Sequence, residues 1–201
     1  MNADPGSRAQ RRRDAEHGLT HDIDVWVASA SADGAPYLVP LSFDWDGEAL
    51  LVATPTDSPT GRNLAATRAV WLGLGHTRDV SMIEGEVEVL EIDALPRERG
   101  DRFVAHTGFD PRPLATPYGW FRIFPRRIQA WREVNEIPDR ELMRDGRWLA
   151  SDASAGRAAW PGPRGFTGRS GVHALVLAPS ATPASVSRTG VAPPRPTPPI
   201  R

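Results

Sequence analysis

One short stretch of the chain, SPTGRNL at residues 58–64, concentrates hydrogen-bonding side chains. Within six residues it carries two hydroxyls, a guanidinium and a carboxamide, on Ser58, Thr60, Arg62 and Asn63. An apolar run precedes the stretch and a helical pattern begins at Asn63, so the stretch joins a strand to a helix. Helix N-termini offer free backbone N–H groups and the positive end of the helix dipole to phosphates. The pattern indicates either a phosphate site or an ordinary helix cap on a solvated loop.

The residue types that the chain lacks limit its chemistry. It has no cysteine, which excludes disulfides, thiolate nucleophiles and metal sites with cysteine ligands. All 24 basic residues are arginines, and without lysine no side chain can form the Schiff base of pyridoxal phosphate enzymes. Any bound phosphate therefore depends on arginines, hydroxyls, amides and backbone N–H groups. The net charge of −1 provides no basic field for nucleic acid, which is not expected as a partner.

The composition divides the chain into three parts. Residues 1–20 are polar and rich in arginine, which predicts a disordered N-terminal arm. Residues 151–201 hold nine of the 20 prolines and predict a Pro-rich, disordered tail. Residues 21–150 are expected to form the folded domain. No apolar stretch has the length of a membrane span or the form of a signal peptide, so a cytoplasmic protein without membrane contact is expected.

The hydrophobic pattern of this central part predicts mostly short antiparallel strands. Strands are expected at 24–30, 37–45, 48–54, 69–75, 81–92, 119–125 and 126–134. Asp-Gly pairs at residues 33–34 and 46–47 indicate tight hairpins between the first three strands.

Two helices interrupt the strands. One helical pattern begins at Asn63, and a second covers residues 93–108, with Asp93 as its N-cap and Gly108 as its stop. Short strands at regular spacing with two inserted helices predict a mainly β fold with minor α content. The expected architecture is a small antiparallel β-barrel.

The order of the motifs carries a resemblance to a known family. The chain has a strand, a hairpin with ADG before a proline, a second strand with the central Pro40, and a third strand ending in Thr54. The segment S-x-x-x-RNL and a closing FRIFPRRIQAWRE follow. In this order, residues 24–149 resemble the pyridoxamine 5′-phosphate oxidase-like family of flavin-binding split β-barrels, especially its actinobacterial flavin- and deazaflavin-dependent oxidoreductases. The resemblance implies a homodimer and a split barrel of six to seven strands.

The resemblance implies that the stretch at residues 58–64 holds the phosphate of FMN, or alternatively of the deazaflavin coenzyme F420. The residues that it places on the phosphate side are Thr54, Ser58, Thr60, Arg62 and Asn63. Members of the family usually have a lysine where this chain has Thr60, so the positive charge would come from Arg62 or Arg78.

The resemblance also implies contacts for the isoalloxazine ring and for a substrate. The backbone of Pro40, Leu41 and Ser42 would lie beside the ring, although an ordinary core strand with an edge proline explains the same pattern. Trp131 would reach the cofactor across the dimer interface, or would simply pack in the core. His76 and Arg112 are the candidate substrate contacts. No metal site is predicted.

These expectations define a function and its alternatives. The leading hypothesis is a flavin-type oxidoreductase that exchanges a hydride with a small organic substrate. The alternative is a flavin- or haem-binding split barrel without turnover, or a barrel that has lost its cofactor. The absence of the family's lysine at Thr60 favours this alternative.

Overall fold

The structure, a computed structural model, describes residues 6–132 and 134–150 of the chain. The predicted Pro-rich tail at residues 151–201 lies outside these described residues. In chain order the elements are α1 (Arg8–His21), β1 (Asp24–Ala30), β2 (Pro36–Trp45), β3 (Leu50–Pro55), α2 (Pro59–Thr67), β4 (Ala69–His76), β5 (Asp79–Glu91), α3 (Arg97–Thr107), β6 (Tyr118–Trp131), a 3-10 helix (Val134–Asp139), β7 (Glu141–Arg144) and β8 (Arg147–Trp148). None of the helices among the described residues is long and apolar enough to cross a lipid bilayer.

Six antiparallel strands close into a barrel. Their order is β3-β2-β1-β4-β5-β6, and β6 returns to pair with β3. The short strands β7 and β8 extend the sheet beyond β6. The predicted mainly β fold, an antiparallel barrel with few helices, is therefore confirmed. The described residues add one helix, α1, and the β7–β8 hairpin to what the sequence predicted.

The barrel is filled by the inward-facing residues of its strands, and a second, smaller core lies outside it. Val27, Leu72 and Ile83 belong to the main core. β3 is buried on both faces, because α3 covers its outer side and packs Phe103 against Trp120, with ring centroids 5.1 Å apart. This double burial explains why β3 is an unbroken apolar run rather than an alternating one.

The expected disordered arm is wrong for residues 8–20, which form most of α1. Ser7 caps the helix by accepting a hydrogen bond from the amide of Gln10. Ala15 and Leu19 are buried against the barrel, and the buried Arg11 donates to the carbonyls of Gly6 and Asp139. Only two apolar side chains anchor the helix, so its hydrophobic period was too weak to recognise among so many arginines.

The two predicted closing strands are one continuous strand, β6. Glu84 pairs with Arg127 and Gly85 with Pro125, so Arg126 is an extra residue in a β-bulge. The bulge accommodates Pro125, which has no N–H to donate to the hydrogen-bond ladder between strands. Gly85 is required opposite it, because a Cβ there would lie 2.6 Å from the Cγ2 of Ile123.

The starts of both predicted helices also differ from the expectation. α2 begins at Pro59 rather than at Asn63, because proline is well suited to the first helical position. α3 begins after Pro96 rather than after Asp93, and it ends at Gly108 as predicted, in the left-handed conformation with φ 73°. The β7–β8 hairpin turns at Asp145-Gly146, the same Asp-Gly signal that predicted the other hairpins.

A buried carboxylate fixes α3 to the barrel. Asp44 on β2 is only 3% exposed and accepts a hydrogen bond from Arg99, while Nε of Arg102 lies 3.3 Å away. Arg99 also reaches Asp46 at 3.0 Å. Because two guanidinium groups converge on Asp44, its charge is compensated inside the protein rather than by water.

Asp44→Asn should therefore lower the free energy of unfolding by about 1.5–3 kcal/mol, because the arginines lose a charged acceptor. Urea denaturation measures the change. Glu86→Gln is the matched control, since its pair with Arg126 is largely exposed and should contribute less than about 1 kcal/mol. Equal effects of the two substitutions would show that Asp44 does not anchor α3.

Candidate functional site

The turn between β3 and α2 is built by two hydroxyl groups. Ser58 is the N-cap of α2: its Oγ accepts from the amide of Gly61 at 3.0 Å and donates to the carbonyl of Pro55 at 2.8 Å. The Oγ1 of Thr54 lies 3.2 Å from the same oxygen. Both side chains were predicted to contact a phosphate. In the structure these side chains hold the turn in place, and their contact with a phosphate stays a prediction.

One backbone donor at the start of α2 has no acceptor among the described residues. Pro59 has no N–H to donate. The amide of Gly61 donates to the Oγ of Ser58, and the amide of Arg62 donates to the carbonyl of Ser58 at 3.0 Å. The amide of Thr60 remains, on a residue that is only 2% exposed and whose hydroxyl also makes no hydrogen bond within the described part of the chain. A buried donor without a partner is costly, so this position suits an anionic ligand.

Arg62 and Asn63 have different surroundings. The exposed Arg62 donates to the carbonyl of Asp57 and forms no ion pair within the described part of the chain. Its positive charge, two residues after Thr60, is therefore uncompensated. Asn63 turns inward, where its Nδ2 donates to the Oγ of the buried Ser29 at 3.1 Å. Thr60 and Arg62 thus keep donors for a ligand, whereas Asn63 joins α2 to β1.

Arg78, the other predicted source of charge, lies far from this turn. It follows β4, an eight-residue strand that starts just after α2 and runs away from it. At about 3.3 Å per residue, the strand separates the two arginines by more than 20 Å. Within one chain, Arg62 is therefore the cation beside the turn.

The barrel is split beside the same turn, between β2 and β3. The two strands pair from Trp45–Leu50 to Phe43–Val52 and then separate. From Ser42 back to Pro36, β2 pairs with β1 alone. Continued pairing would have placed Leu41 opposite Thr54. Within the described residues, the β2 edge thus lacks a strand partner, as expected for a segment that contains Pro40.

The split brings the two predicted groups of cofactor residues to one opening. Pro40, Leu41 and Ser42 form one border, and the end of β3 with the start of α2 forms the other. Backbone groups of an unpaired edge can donate to, or accept from, a flat polar ring. Ser42 is partly engaged already, because its Oγ donates to Asp24 at 2.8 Å.

A second feature beside the split is an exposed apolar face on β2, β1 and β4. Trp26, Leu38 and Trp71 are 51%, 58% and 40% exposed. Trp26 pairs across the sheet with Pro40 and Gly73. Two residues further along β1, Ala28 pairs with Leu38 and Trp71, so the three large side chains lie in neighbouring rows of one face. We call this the Trp26–Leu38–Trp71 face. An apolar surface of this kind is typical of an interface.

The structure places Trp131 and His76 away from the turn, at the opposite end of the barrel. Both line a cleft of about 600 Å³ between α1 and the ends of β4, β5 and β6. Asp24 at the start of β1 also lines it, while Ser29 near the end of β1 contacts α2. Five residues of strand separate these two positions by about 17 Å. The cleft is thus separate from the α2 turn within one chain, and it adjoins the β2 border of the split where Asp24 accepts from Ser42.

Arg112 is occupied by neighbouring carboxylates. It forms 2.8 Å ion pairs with Asp110 and Asp101, and these hydrogen bonds raise the pKa of Arg112 above its ordinary value. Its guanidinium holds the loop after α3 onto the helix, which leaves little capacity for a substrate anion. No group of three His, Asp or Glu side chains in the described residues is arranged to hold a metal ion.

A closed antiparallel barrel that opens between two strands beside a helix N-terminus is a split β-barrel. A profile of the pyridoxamine 5′-phosphate oxidase family matches residues 18–132, which is more than half of the chain. The chain belongs to this family. None of the curated proteins matches the sequence significantly.

Solved structures resemble the chain at low sequence identity. Atu2129, a protein of unknown function from Agrobacterium tumefaciens, is 13% identical with a TM-score of 0.53, over 65% of this chain and 59% of its own. An F420 reductase is 22% identical with a TM-score of 0.46, over 56% of this chain and 94% of its own. HutZ, the haem storage protein from Vibrio cholerae, is 15% identical with a TM-score of 0.46, over 56% of this chain and 88% of its own. The first likeness supports the fold, and none of the three identifies an activity.

The close contact of α2 with the turn depends on Gly61. A Cβ at this position would lie 2.3 Å from the carbonyl oxygen of Pro55 and 3.0 Å from that of Thr56. Gly61→Ala should therefore displace backbone and lower the free energy of unfolding by about 1–3 kcal/mol in urea denaturation. Gly18→Ala is the control inside α1, where the nearest atom is 3.4 Å away and alanine should stabilise the helix by about 0.5–1 kcal/mol. A neutral effect of Gly61→Ala would contradict the packing of this turn.

Proposed function

We propose that the chain is a flavin-type oxidoreductase that binds its cofactor in the split between β2 and β3. FMN is the proposed cofactor, with the deazaflavin coenzyme F420 as the alternative, and the substrate is a small organic molecule. The observation that carries the proposal is the convergence of an unsatisfied helix N-terminus and an unpaired strand edge on one opening. Members of the family to which the chain belongs typically bind flavin, so the proposal agrees with the fold.

The phosphate would be held by Thr60 and Arg62. The Thr60 amide and hydroxyl have no acceptor among the described residues, and Arg62 carries an uncompensated charge beside them. An arginine can donate two parallel hydrogen bonds to a phosphate. Arg62 would in this way replace the point charge of the family's usual lysine. Ser58 would act indirectly, by fixing the turn from which these donors project.

The ring would lie along the unpaired edge of β2. Alternate backbone groups of residues 39–42 face this edge and are available to orient a ring. When bound, a flavin supplies the hydride chemistry, so the chain needs to bind, orient and exclude water rather than to provide a nucleophile or a metal. This requirement agrees with a site that lacks a dedicated acid, base or thiolate.

We further propose that the Trp26–Leu38–Trp71 face is covered by a second copy of the chain. Two tryptophans and a leucine exposed on neighbouring rows are unfavourable in water, and the face continues to the unpaired β2 edge at Pro40. A second copy would therefore cover the open side of the split and exclude water from the ring.

Arg62→Ala should weaken FMN binding by about one to two orders of magnitude, because a charge-assisted hydrogen bond contributes about 1.5–3 kcal/mol. Riboflavin lacks the phosphate and should bind the wild type and the variant equally. Flavin fluorescence titrations at fixed salt measure both affinities. Arg78→Ala removes the same charge at the far end of β4 and should leave FMN affinity unchanged.

Equal FMN affinity in the wild type and in Arg62→Ala would contradict the phosphate site. A protein that binds neither FMN nor the deazaflavin coenzyme would support the second candidate, a split barrel that has lost its cofactor. The internal use of Ser58 and Asn63 and the missing lysine at Thr60 favour that candidate.

Light scattering should give about twice the 21.9 kDa chain mass for the wild type at micromolar concentration. Trp71→Arg should shift the protein toward monomer, because it places a charge in the proposed apolar interface. Leu114→Arg, at an exposed apolar residue of the loop after α3, is the matched control and should remain dimeric. A monomeric wild type would refute the proposed interface.

A further inference from the structure

Arg112 ties the loop between α3 and β6, residues 108–117, to α3. Its Nη1 donates to Asp101 on α3 at 2.8 Å, and its Nε and Nη2 donate to the two carboxylate oxygens of Asp110 at 2.8 and 2.9 Å. The hydrogen bonds between Asp110 and Arg112 lower the pKa of the carboxyl and raise that of the guanidinium. Both side chains therefore stay charged and paired, and the first half of the loop is held on the helix.

A glycine inside α3 makes room for this guanidinium. A Cβ on Gly100 would lie 3.1 Å from the Nη1 and 3.6 Å from the Cζ of Arg112. Glycine is unfavourable in the middle of a helix because it loses more conformational freedom on folding than any other residue. The close approach of Arg112 accounts for a glycine at this position. The guanidinium thus lies against the helix backbone.

The loop has few hydrogen bonds of its own but many restricted dihedral angles. Three of its ten residues are prolines, at positions 111, 113 and 117. Among the described residues, one backbone hydrogen bond joins two members of the loop, from the amide of Leu114 to the carbonyl of Pro111 at 3.3 Å. Proline fixes its own φ and restricts the residue before it, so Arg112 and Thr116 are restricted as well. The placement of Arg112 is therefore transmitted along the loop to its last residue.

The far end of the loop supports the turn between β3 and α2. The carbonyl of Pro117 accepts from the amide of Thr56 at 3.0 Å, and the Oγ1 of Thr56 donates to the same oxygen at 3.4 Å. The carbonyl oxygen of Thr56 packs against α2, 3.0 Å from the position of a Cβ on Gly61. The next carbonyl, of Asp57, accepts from Arg62. The loop thus holds the backbone segment on which Arg62 and the start of α2 rest.

A second anchor keeps the loop on the barrel independently of Arg112. Phe109 is partly buried in the smaller core, where its ring centroid lies 5.7 Å from that of Tyr118. Removing the guanidinium leaves this apolar contact in place. A variant at position 112 should therefore fold with a looser loop rather than lose the domain.

We propose that Arg112 is a positioning residue for the anion site at the start of α2. It acts through the loop and Thr56, and it does not touch the anion itself. The result is a fixed direction for the Thr60 amide and the Arg62 guanidinium. The proposal rests on the proposed function for the identity of the anion, the phosphate of FMN. Its structural part, the coupling of Arg112 to the turn, is measurable without any ligand.

Amide hydrogen exchange of the ligand-free, full-length protein, followed by NMR, tests this coupling. Arg112→Gln should accelerate exchange of the Thr56 amide by about tenfold, because its acceptor on Pro117 is no longer held in place. Arg97→Gln is the matched control. It also removes an arginine from Asp101, at 3.6 Å, but Arg97 is 91% exposed and lies on α3 itself, so Thr56 should exchange at the wild-type rate. An unchanged Thr56 exchange rate in Arg112→Gln would overturn the proposal.

Flavin fluorescence titration separates positioning from general damage to the fold. Arg112→Gln should weaken FMN binding by about three- to tenfold, as substitutions that act through other residues do. Riboflavin lacks the phosphate and should keep its wild-type affinity for the variant. An equal loss of riboflavin affinity would overturn the specific role of Arg112 in the anion site.

Asp101→Asn separates positioning from direct contact. It leaves Arg112 in the chain but weakens its attachment to α3. A guanidinium that itself contacted the phosphate would gain free donors and bind FMN more tightly, whereas a positioning residue would lose its support. The variant should therefore bind FMN more weakly, and equal or tighter binding would overturn the proposal. A wild type that does not bind FMN would refute the proposed function, and the Thr56 exchange rate alone would then decide the role of Arg112.

Discussion

The separation of β2 from β3 after the Phe43–Val52 pair is the constraint on which the site depends. Backbone groups that leave a ladder must find other partners or remain exposed at an edge. On one side of the split, Pro40 reduces the number of unpaired donors on β2. On the other side, β3 ends in a short turn, and Ser58 at the end of this turn caps α2. The opening therefore has an unpaired strand edge and a helix N-terminus as its two borders.

The absence of lysine changes how this opening can hold an anion. The family's usual lysine would supply charge at position 60, whereas in the proposed site two residues divide this task. Thr60 provides neutral donors without an acceptor, and Arg62 provides an uncompensated charge that is anchored on the carbonyl of Asp57. In the proposed site Arg62, two residues further along α2, would donate two hydrogen bonds to a phosphate, where a lysine would provide a point charge. Composition alone thus does not exclude a phosphate site.

Much of the barrel could be predicted from the sequence because local signals define it. β1 has its predicted bounds, and the first two hairpins follow their Asp-Gly turns. Features that depend on distant partners were missed. α1 depends on the contact of Arg11 with Asp139, 128 residues later, and β6 accommodates Pro125 in a bulge opposite Gly85. The inward turn of Asn63 depends on Ser29, 34 residues earlier. The cleft at the α1 end of the barrel was missed because its residues come from six separate elements.

The Thr60 amide tests the central claim most directly, because its environment should change only if a phosphate binds at the start of α2. A two-dimensional 15N–1H spectrum of the labelled protein would follow this amide during titration. FMN should move the Thr60 resonance in a saturable way, and riboflavin at a saturating concentration should leave it in place. The claim would be contradicted if FMN bound while the Thr60 resonance stayed unchanged, or if riboflavin moved it equally.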